Sequence, residues 1–375
     1  MIKKLIPFLL IFLFSFGSKI SFFFIPVYLD LRGFTGLEIG LLVALSSVAA
    51  FISFFPSGLV NDRKSIKKPL IVSFILLALF YLGMTLVEGF LLFFLIFLLG
   101  GIGLKIGENS LRNYFFKRSI GKSRGEKLGT YQLFVIFGII AGVLGFSFFV
   151  PLTSFDLILQ GVGLLFLLLI LFVFSIQDTT GNKVKILEYK KDFFRKDVLL
   201  FSLVLFLFTL HWGAESTSYG LLLKNYFELD LFTSGIYMAA ALVPLGIAAY
   251  FFGKRIDRQK SKLKNIIVAG MLISGTMHIV MTFEPLWLSF LARAVHEFGD
   301  GLFNLSMMLW ITDSFDLKRL AGNASLIMTV TVVAEVVGAV LFSTIGSMFG
   351  YQFAFIGSGI TSILAAVIFI LKKSN

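Results

Sequence analysis

The sequence predicts an all-α membrane protein: twelve transmembrane helices in two similar six-helix halves, with both termini on the cytoplasmic side. Three observations carry this. Hydrophobic residues make up 58% of the 375, charged residues only 14%, and the mean hydropathy is +0.95, more apolar than a soluble chain of this size sustains. The apolar residues fall in separate runs, each about as long as a bilayer core is thick. A charged stretch, Gly58-x-x-x-Asp62-Arg63-x-x-x-Lys67, returns 195 residues later as Gly253-x-x-x-Asp257-Arg258-x-x-x-Lys262, and each copy follows a membrane-length apolar run.

The runs lie near 5–29, 36–60, 69–87, 90–112, 128–150, 156–176, 198–223, 231–252, 265–283, 286–311, 322–345 and 351–371. The first begins Met1-Ile-Lys-Lys like a signal peptide. It continues through Ser18-Lys19-Ile20 to Leu29 with no A-x-A site, so a retained first helix is expected. The second ends in the first charged hairpin. The third is short and closes at Val87, before Glu88. The fourth carries Lys105, Glu108, Asn109 and Arg112 on one stripe. The fifth holds Gly129, Gly138, Gly142 and Gly145, a spacing that suits close helix packing. The sixth leads into Gln177–Lys196, the longest hydrophilic stretch, read as a solvated linker between halves 1–176 and 197–375.

The second half repeats the order. Span seven carries His211, Glu215 and Ser218, and span eight ends in the second hairpin. Span nine contains His278 alone, which is read as structural. Span ten carries Arg293, His296, Glu297, Asp300 and Asn304, whose spacing puts them on one helical face. Span eleven contains Glu335, and span twelve has no charge. Charges inside spans are costly and mark a cavity or a partner. By helical rise, His296 and Glu297 fall near the midplane, while Glu108 and Arg112 approach the cytoplasmic surface.

The loops set the orientation. With both termini inside, all of the 33 Lys and Arg except Lys19, Arg32, Lys105, Arg112, Lys224 and Arg293 fall in the termini and inward loops. The outward loops instead hold Asp30, Glu38, Glu88, Asp156, Glu228, Asp230 and Glu284. This bias explains the net charge of +12 without a nucleic-acid partner. Several chemistries are excluded. With no cysteine there is no disulfide, iron–sulfur cluster or thiolate metal site. No G-x-x-x-x-G-K-[ST] stretch exists to cradle ATP. His296-Glu297-Phe-Gly-Asp300 matches only half of the H-E-x-x-H zinc pattern, so no catalytic metal, no cofactor and no enzyme activity are expected.

The two hairpins read as latches. Gly58 permits a tight helix exit, Asp62 can cap the backbone N–H groups that follow, and Arg63 and Lys67 can reach acidic groups or carbonyls at neighbouring helix ends. Here the chain resembles the major facilitator superfamily over its full length: twelve spans, a central cytoplasmic loop, and the hairpin signature with its echo. Ser65 stands where the signature has a glycine, Val143 where an antiporter motif of span five has a proline, and Leu98 where a span-four motif has an arginine. The resemblance implies two pseudo-symmetric six-helix bundles whose first, fourth, seventh and tenth helices line a central cavity. The charged stripes above fall on those four spans.

The resemblance also implies a secondary transporter that moves a small organic solute by alternating access, in the plasma membrane and as a monomer. Proton coupling is expected, and sodium coupling is the variant. Expected solute contacts are Lys19, His211, Arg293 and His296, and expected proton carriers are Glu215, Glu297, Asp300 and Glu335. The gating set is Gly58, Asp62, Arg63, Lys67, Lys105, Gly253, Asp257, Arg258, Lys262 and Asp300. Lys105 and Asp300 share the 195-residue offset and opposite charges, so a bridge that closes the cytoplasmic side is expected between them. Glu108 and Arg112 are expected to snorkel or to pair with the Asp62–Lys67 loop. Two alternatives stay open: polyspecific efflux of amphiphiles, suggested by 47 Phe and 10 Met, and a non-transporting receptor or scaffold on the same fold.

Overall fold

The computed structural model describes residues 2–19, 24–119, 121, 123–178, 181–258 and 263–371. Every regular element among them is helical: α1 (Ile2–Lys19), α2 (Ile25–Leu31), α3 (Gly36–Arg63), α4 (Lys67–Met84), α5 (Phe90–Arg118), α6 (Arg124–Phe149), α7 (Phe155–Ser175), α8 (Ile186–Phe193), α9 (Lys196–Asn225), α10 (Leu231–Ala241), α11 (Val243–Arg258), α12 (Leu263–Val280), α13 (Leu286–Ser314), α14 (Leu320–Phe349) and α15 (Tyr351–Leu371). A single 3₁₀ turn, Leu317–Arg319, precedes α14.

Short polar residues start these helices. Thr35 opens α3 with a reciprocal box: its hydroxyl accepts from the Glu38 N–H, and the Glu38 carboxylate accepts from the Thr35 N–H at 2.8 Å. Ser154 and Asp230 cap in one direction only: the Ser154 hydroxyl accepts from the Leu157 N–H at the start of α7, and the Asp230 carboxylate from the Thr233 N–H at the start of α10, at 2.8 Å. That backbone bond holds the exposed Asp230 carboxyl below the usual carboxylate range. The run at 231–252 forms one membrane-length stretch with an interruption at a single residue: Pro244 has no N–H to give the Ala240 carbonyl, so the helical ladder breaks at Leu242 between α10 and α11. The polar stretch 177–196 contains α8, which buries Tyr189.

Nine helical stretches among the described residues are long and apolar enough to cross a bilayer. In α7, Val162, Phe166, Leu169 and Val173 are buried while Leu164, Leu168, Leu171 and Phe174 are exposed. A helix that is apolar on both faces belongs in lipid. The molecule is an integral, multi-pass membrane protein.

The chain forms two compact units. Unit 1 comprises residues 1–118, 134–185 and 316–326, and unit 2 comprises 119–133, 186–315 and 327–375. In unit 1, α3 packs on α5, α5 on α4, α4 on α7, and α7 on α1. In unit 2, α11 packs on α13, α13 on α12, α12 on α15, and α15 on α9. The two chains of neighbours are the same arrangement repeated. Aromatic rings fill both interiors: Phe14, Phe74, Tyr81 and Phe166 in unit 1, and Tyr219, Tyr237, Phe342 and Phe355 in unit 2.

Candidate functional site

Unit 2 holds a buried polar cluster where α9, α12 and α13 meet. The spacing along α13 puts Arg293, His296, Glu297 and Asp300 on one face, as expected, and all four are buried. From α9, Glu215 and His211 point at them, four residues apart and so also on one face. The Arg293 guanidinium donates to both Glu215 and Glu297 and lies 4.4 Å from the centre of the Tyr219 ring. His296 Nε2 is 2.7 Å from Glu215 Oε1, and its Nδ1 is 2.9 Å from the Ser274 carbonyl oxygen on α12. The Trp212 indole N–H donates to Asp300 Oδ2 at 2.9 Å, and His211 Nε2 lies 3.3 Å from the same oxygen.

The cluster therefore sets three carboxylates, on Glu215, Glu297 and Asp300, against one permanent cation, on Arg293. Removing an unpaired ion from water costs several kcal/mol even after relaxation. Two further positive charges, whether protons or another cation, would balance it. Such a group can take up and release protons as its surroundings change.

His278 was expected to stand alone and be structural. It lies instead against this cluster, with Nδ1 3.7 Å from Glu215 Oε1, and neither ring nitrogen has a hydrogen-bond partner. Trp212 and Ser274 are further members that sequence reasoning missed. Glu335 lies on α14, and its backbone oxygen would meet any side chain placed on Gly213 of α9.

Unit 1 carries the opposite charge balance. The Lys105 ammonium bridges to Glu108, one turn along α5, at 3.0 Å. Lys19 and Arg112 act on the same carboxylate through space, so three cations surround one anion. Asn109, on the same helix, donates to Ser57 and Ser325 at 2.7 and 2.8 Å. Lys105 and Asp300, expected to bridge, each take a partner within their own unit.

The hairpins act differently from the expectation. Asp62 does not cap the N–H groups that follow it. Its carboxylate accepts from the N–H groups of Ala321 and Gly322, at 3.1 and 2.6 Å, in the first turn of α14. Lys117, rather than Arg112, pairs with it at 3.0 Å. Gly58 lies within α3 and makes no exit. A Cβ there would strike the Ser325 side chain and come within 2.7 Å of the Ala321 oxygen, so glycine is what lets α3 approach α14. Arg63 donates to the Val184 carbonyl, with Nη2 at 2.6 Å, and Lys67 to that of Phe174 at 3.1 Å, near the C-terminal end of α7.

The second hairpin repeats the device. Asp257 accepts from the N–H groups of Gly125 and Glu126, both at 2.8 Å, in the first turn of α6. Gly253 and Gly125 face each other so closely that a Cβ on either would strike the other's carbonyl oxygen. Lys262 and the side chain of Arg258 lie outside the described residues.

The sequence model of the Major Facilitator Superfamily matches residues 7–264 and 201–374. No curated protein matches the chain. The fold is similar to the crystal structure of the human organic anion transporter MFSD10 (TETRAN), with a TM-score of 0.81 and 13% identity over 97% of this chain and 98% of that one. It is also similar to the crystal structure of FucP, a Major Facilitator Superfamily transporter in the outward conformation, with a TM-score of 0.79 and 15% identity over 100% and 99% of the two chains.

Proposed function

The chain belongs to the major facilitator superfamily, and from that premise we propose that it moves a small organic solute by alternating access, coupled to protons. It is a secondary transporter rather than an enzyme. The proposed topology is twelve spans in halves 1–176 and 197–375, joined by 177–196, with both termini cytoplasmic. The proposed setting is the cell membrane, and the working form a monomer.

One observation carries the coupling: the Glu215–Arg293–Glu297–His296 arrangement buried in two membrane helices. A carboxylate cluster with an excess of two negative charges is stable in low dielectric only while it holds compensating cations. Proton release to one side and uptake from the other would follow each conformational exchange. Glu215, Glu297, Asp300 and Glu335 are the proposed carriers, and Lys19, His211, Arg293 and His296 the proposed solute contacts. The surplus of cations around Glu108 in unit 1 favours an organic anion, in keeping with what MFSD10 is described as carrying.

Asp62 and Asp257 fit a gating role. Each caps the first turn of a helix distant in sequence, and alternating access would break and remake those caps. Lys105 and Asp300 would have to leave Glu108, His211 and Trp212 to form a bridge in another state of the cycle.

Flux into proteoliposomes tests the reading. A panel of organic anions, zwitterions and polyols is offered under an imposed pH gradient, with and without a protonophore. Uphill uptake of one class that the protonophore abolishes is the expected result. Dependence on a sodium gradient would replace the proton. Movement of many unrelated amphiphiles would point to polyspecific efflux, and no flux by folded protein would point to a receptor or scaffold.

A further inference from the structure

All three histidines of the 375-residue chain converge at one point in unit 2. They arrive from three helices: His211 from α9, His278 from α12 and His296 from α13. Their ring centres lie 4.7 Å (His278–His296), 5.2 Å (His211–His278) and 5.3 Å (His211–His296) apart. Hydrophobic packing alone gives no reason to gather every imidazole of a membrane protein in one buried spot. One ligand atom each from His211, Glu215 and His296 lies within 4.8 Å of the other two. Ligands held about 2.1 Å from a tetrahedral ion sit about 3.4 Å apart, so rotamer adjustments of about an ångström would close the set.

A second observation points to a ligand. His278 is fully buried, yet neither of its ring nitrogens has a hydrogen-bond partner, and Asp300 Oδ1 is likewise buried and unsatisfied. Leaving a buried imidazole unpaired is costly, and an ion ligated by His278 would offset that cost. Charge agrees with geometry. Glu215, Glu297 and Asp300 exceed Arg293 by two negative charges, which one divalent cation neutralises as fully as two protons do. Arg293 retains Glu297 as a partner when Glu215 turns toward a cation.

The ligand types choose among cations. Three imidazoles with one carboxylate suit borderline first-row ions such as Zn²⁺ or Co²⁺, whereas Mg²⁺ and Ca²⁺ favour oxygen-only shells. We propose that His211, Glu215 and His296, with His278 as the fourth ligand, bind one divalent transition-metal ion of the Zn²⁺ class. The comparison with H-E-x-x-H misses this site because it looks along α13 alone, while the ligands come from three helices. The proposal rests on the ligand set and stands whichever solute the protein carries.

The test uses full-length protein purified through a tag without histidine, in detergent, by equilibrium dialysis against ZnCl₂ at pH 7.5, with MgCl₂ as the control. One saturable Zn²⁺ per chain is expected, about 100-fold tighter than Mg²⁺. His278→Ala should weaken it about tenfold, and His211→Ala with His296→Ala should abolish it. If those variants do not fold, the Co²⁺-loaded wild type still decides: an intense visible absorption band from a tetrahedral nitrogen–oxygen shell supports the site. No saturable Zn²⁺ binding, binding unchanged in the histidine variants, or a weak octahedral Co²⁺ spectrum would each overturn the proposal.

Discussion

Units 1 and 2 repeat one pattern of helix neighbours but carry opposite intramembrane charge. Around Glu108, unit 1 sets three cations against one carboxylate. Around Arg293, unit 2 sets three carboxylates against one guanidinium and adds every histidine of the chain. The shared features are apolar and small: aromatic interiors, and glycines such as Gly58 and Gly253 where helices approach closely. The backbone packing repeats between the units, while the buried charges do not. On this account unit 1 offers charge to an anionic solute, and unit 2 handles the compensating cations.

The largest effect should follow from removing Arg293, the one permanent cation of the buried cluster in unit 2. Arg293→Met leaves Glu215 and Glu297 facing each other without a shared partner, and should cost about 3–5 kcal/mol. Thermal unfolding of the purified protein reads this directly, and adding Glu297→Gln should restore part of the loss. An Arg293→Met protein as stable as wild type would mean that the cluster is not held by these ion pairs. The equivalent change in unit 1, Lys105→Met, should cost less. Lys105 is partly exposed and Glu108 keeps Lys19 and Arg112 nearby.

The two caps sharpen the comparison at a smaller scale. Asp62 is fully buried and adds an ion pair with Lys117, whereas Asp257 is half-buried. Asp62→Asn should therefore cost about 3 kcal/mol of the capped state, because it leaves Lys117 with the Asn61 carbonyl but no counter-charge, while Asp257→Asn should cost about 1 kcal/mol. Because the chain has no cysteine, engineered cysteine pairs across each cap can report its closed fraction by cross-linking without background. Equal losses in the two variants would show that Lys117 contributes nothing. The smallest effect concerns Lys105 and Asp300. Transport rates of the two alanine variants and their double should reveal a coupling of about 1 kcal/mol, and strictly additive losses would remove the proposed bridge.

The fold class was legible because lipid imposes long apolar helices, and the repeat was legible because a charged hairpin stands out against them. The α13 stripe followed from helical periodicity. Two things did not. Pro244 interrupts the helix of span eight at Leu242, although the run continues apolar on both sides of it, so hydropathy alone conceals the break. The partners of Asp62 and Asp257 are backbone N–H groups at Ala321, Gly322, Gly125 and Glu126, and any residue type supplies an N–H. His278 carried a faint signal. His211 and Glu215, like His296 and Asp300, form a histidine–carboxylate pair four residues apart, and a repeated pair invites the question of where the third histidine lies.

If the carboxylates of unit 2 carry the coupling ion, Glu297→Gln should separate solute movement from the proton gradient. The amide keeps the shape of the protonated acid but cannot release a proton. Transport is measured twice in proteoliposomes, once as solute exchange at equal pH and once as uphill accumulation under a pH gradient. The account predicts exchange within about twofold of wild type, a factor worth only about 0.4 kcal/mol in the barrier, together with complete loss of accumulation. Full pH-driven accumulation by Glu297→Gln would contradict the assignment of Glu297. The same result with Glu215→Gln, Asp300→Asn and Glu335→Gln would contradict coupling through these carboxylates.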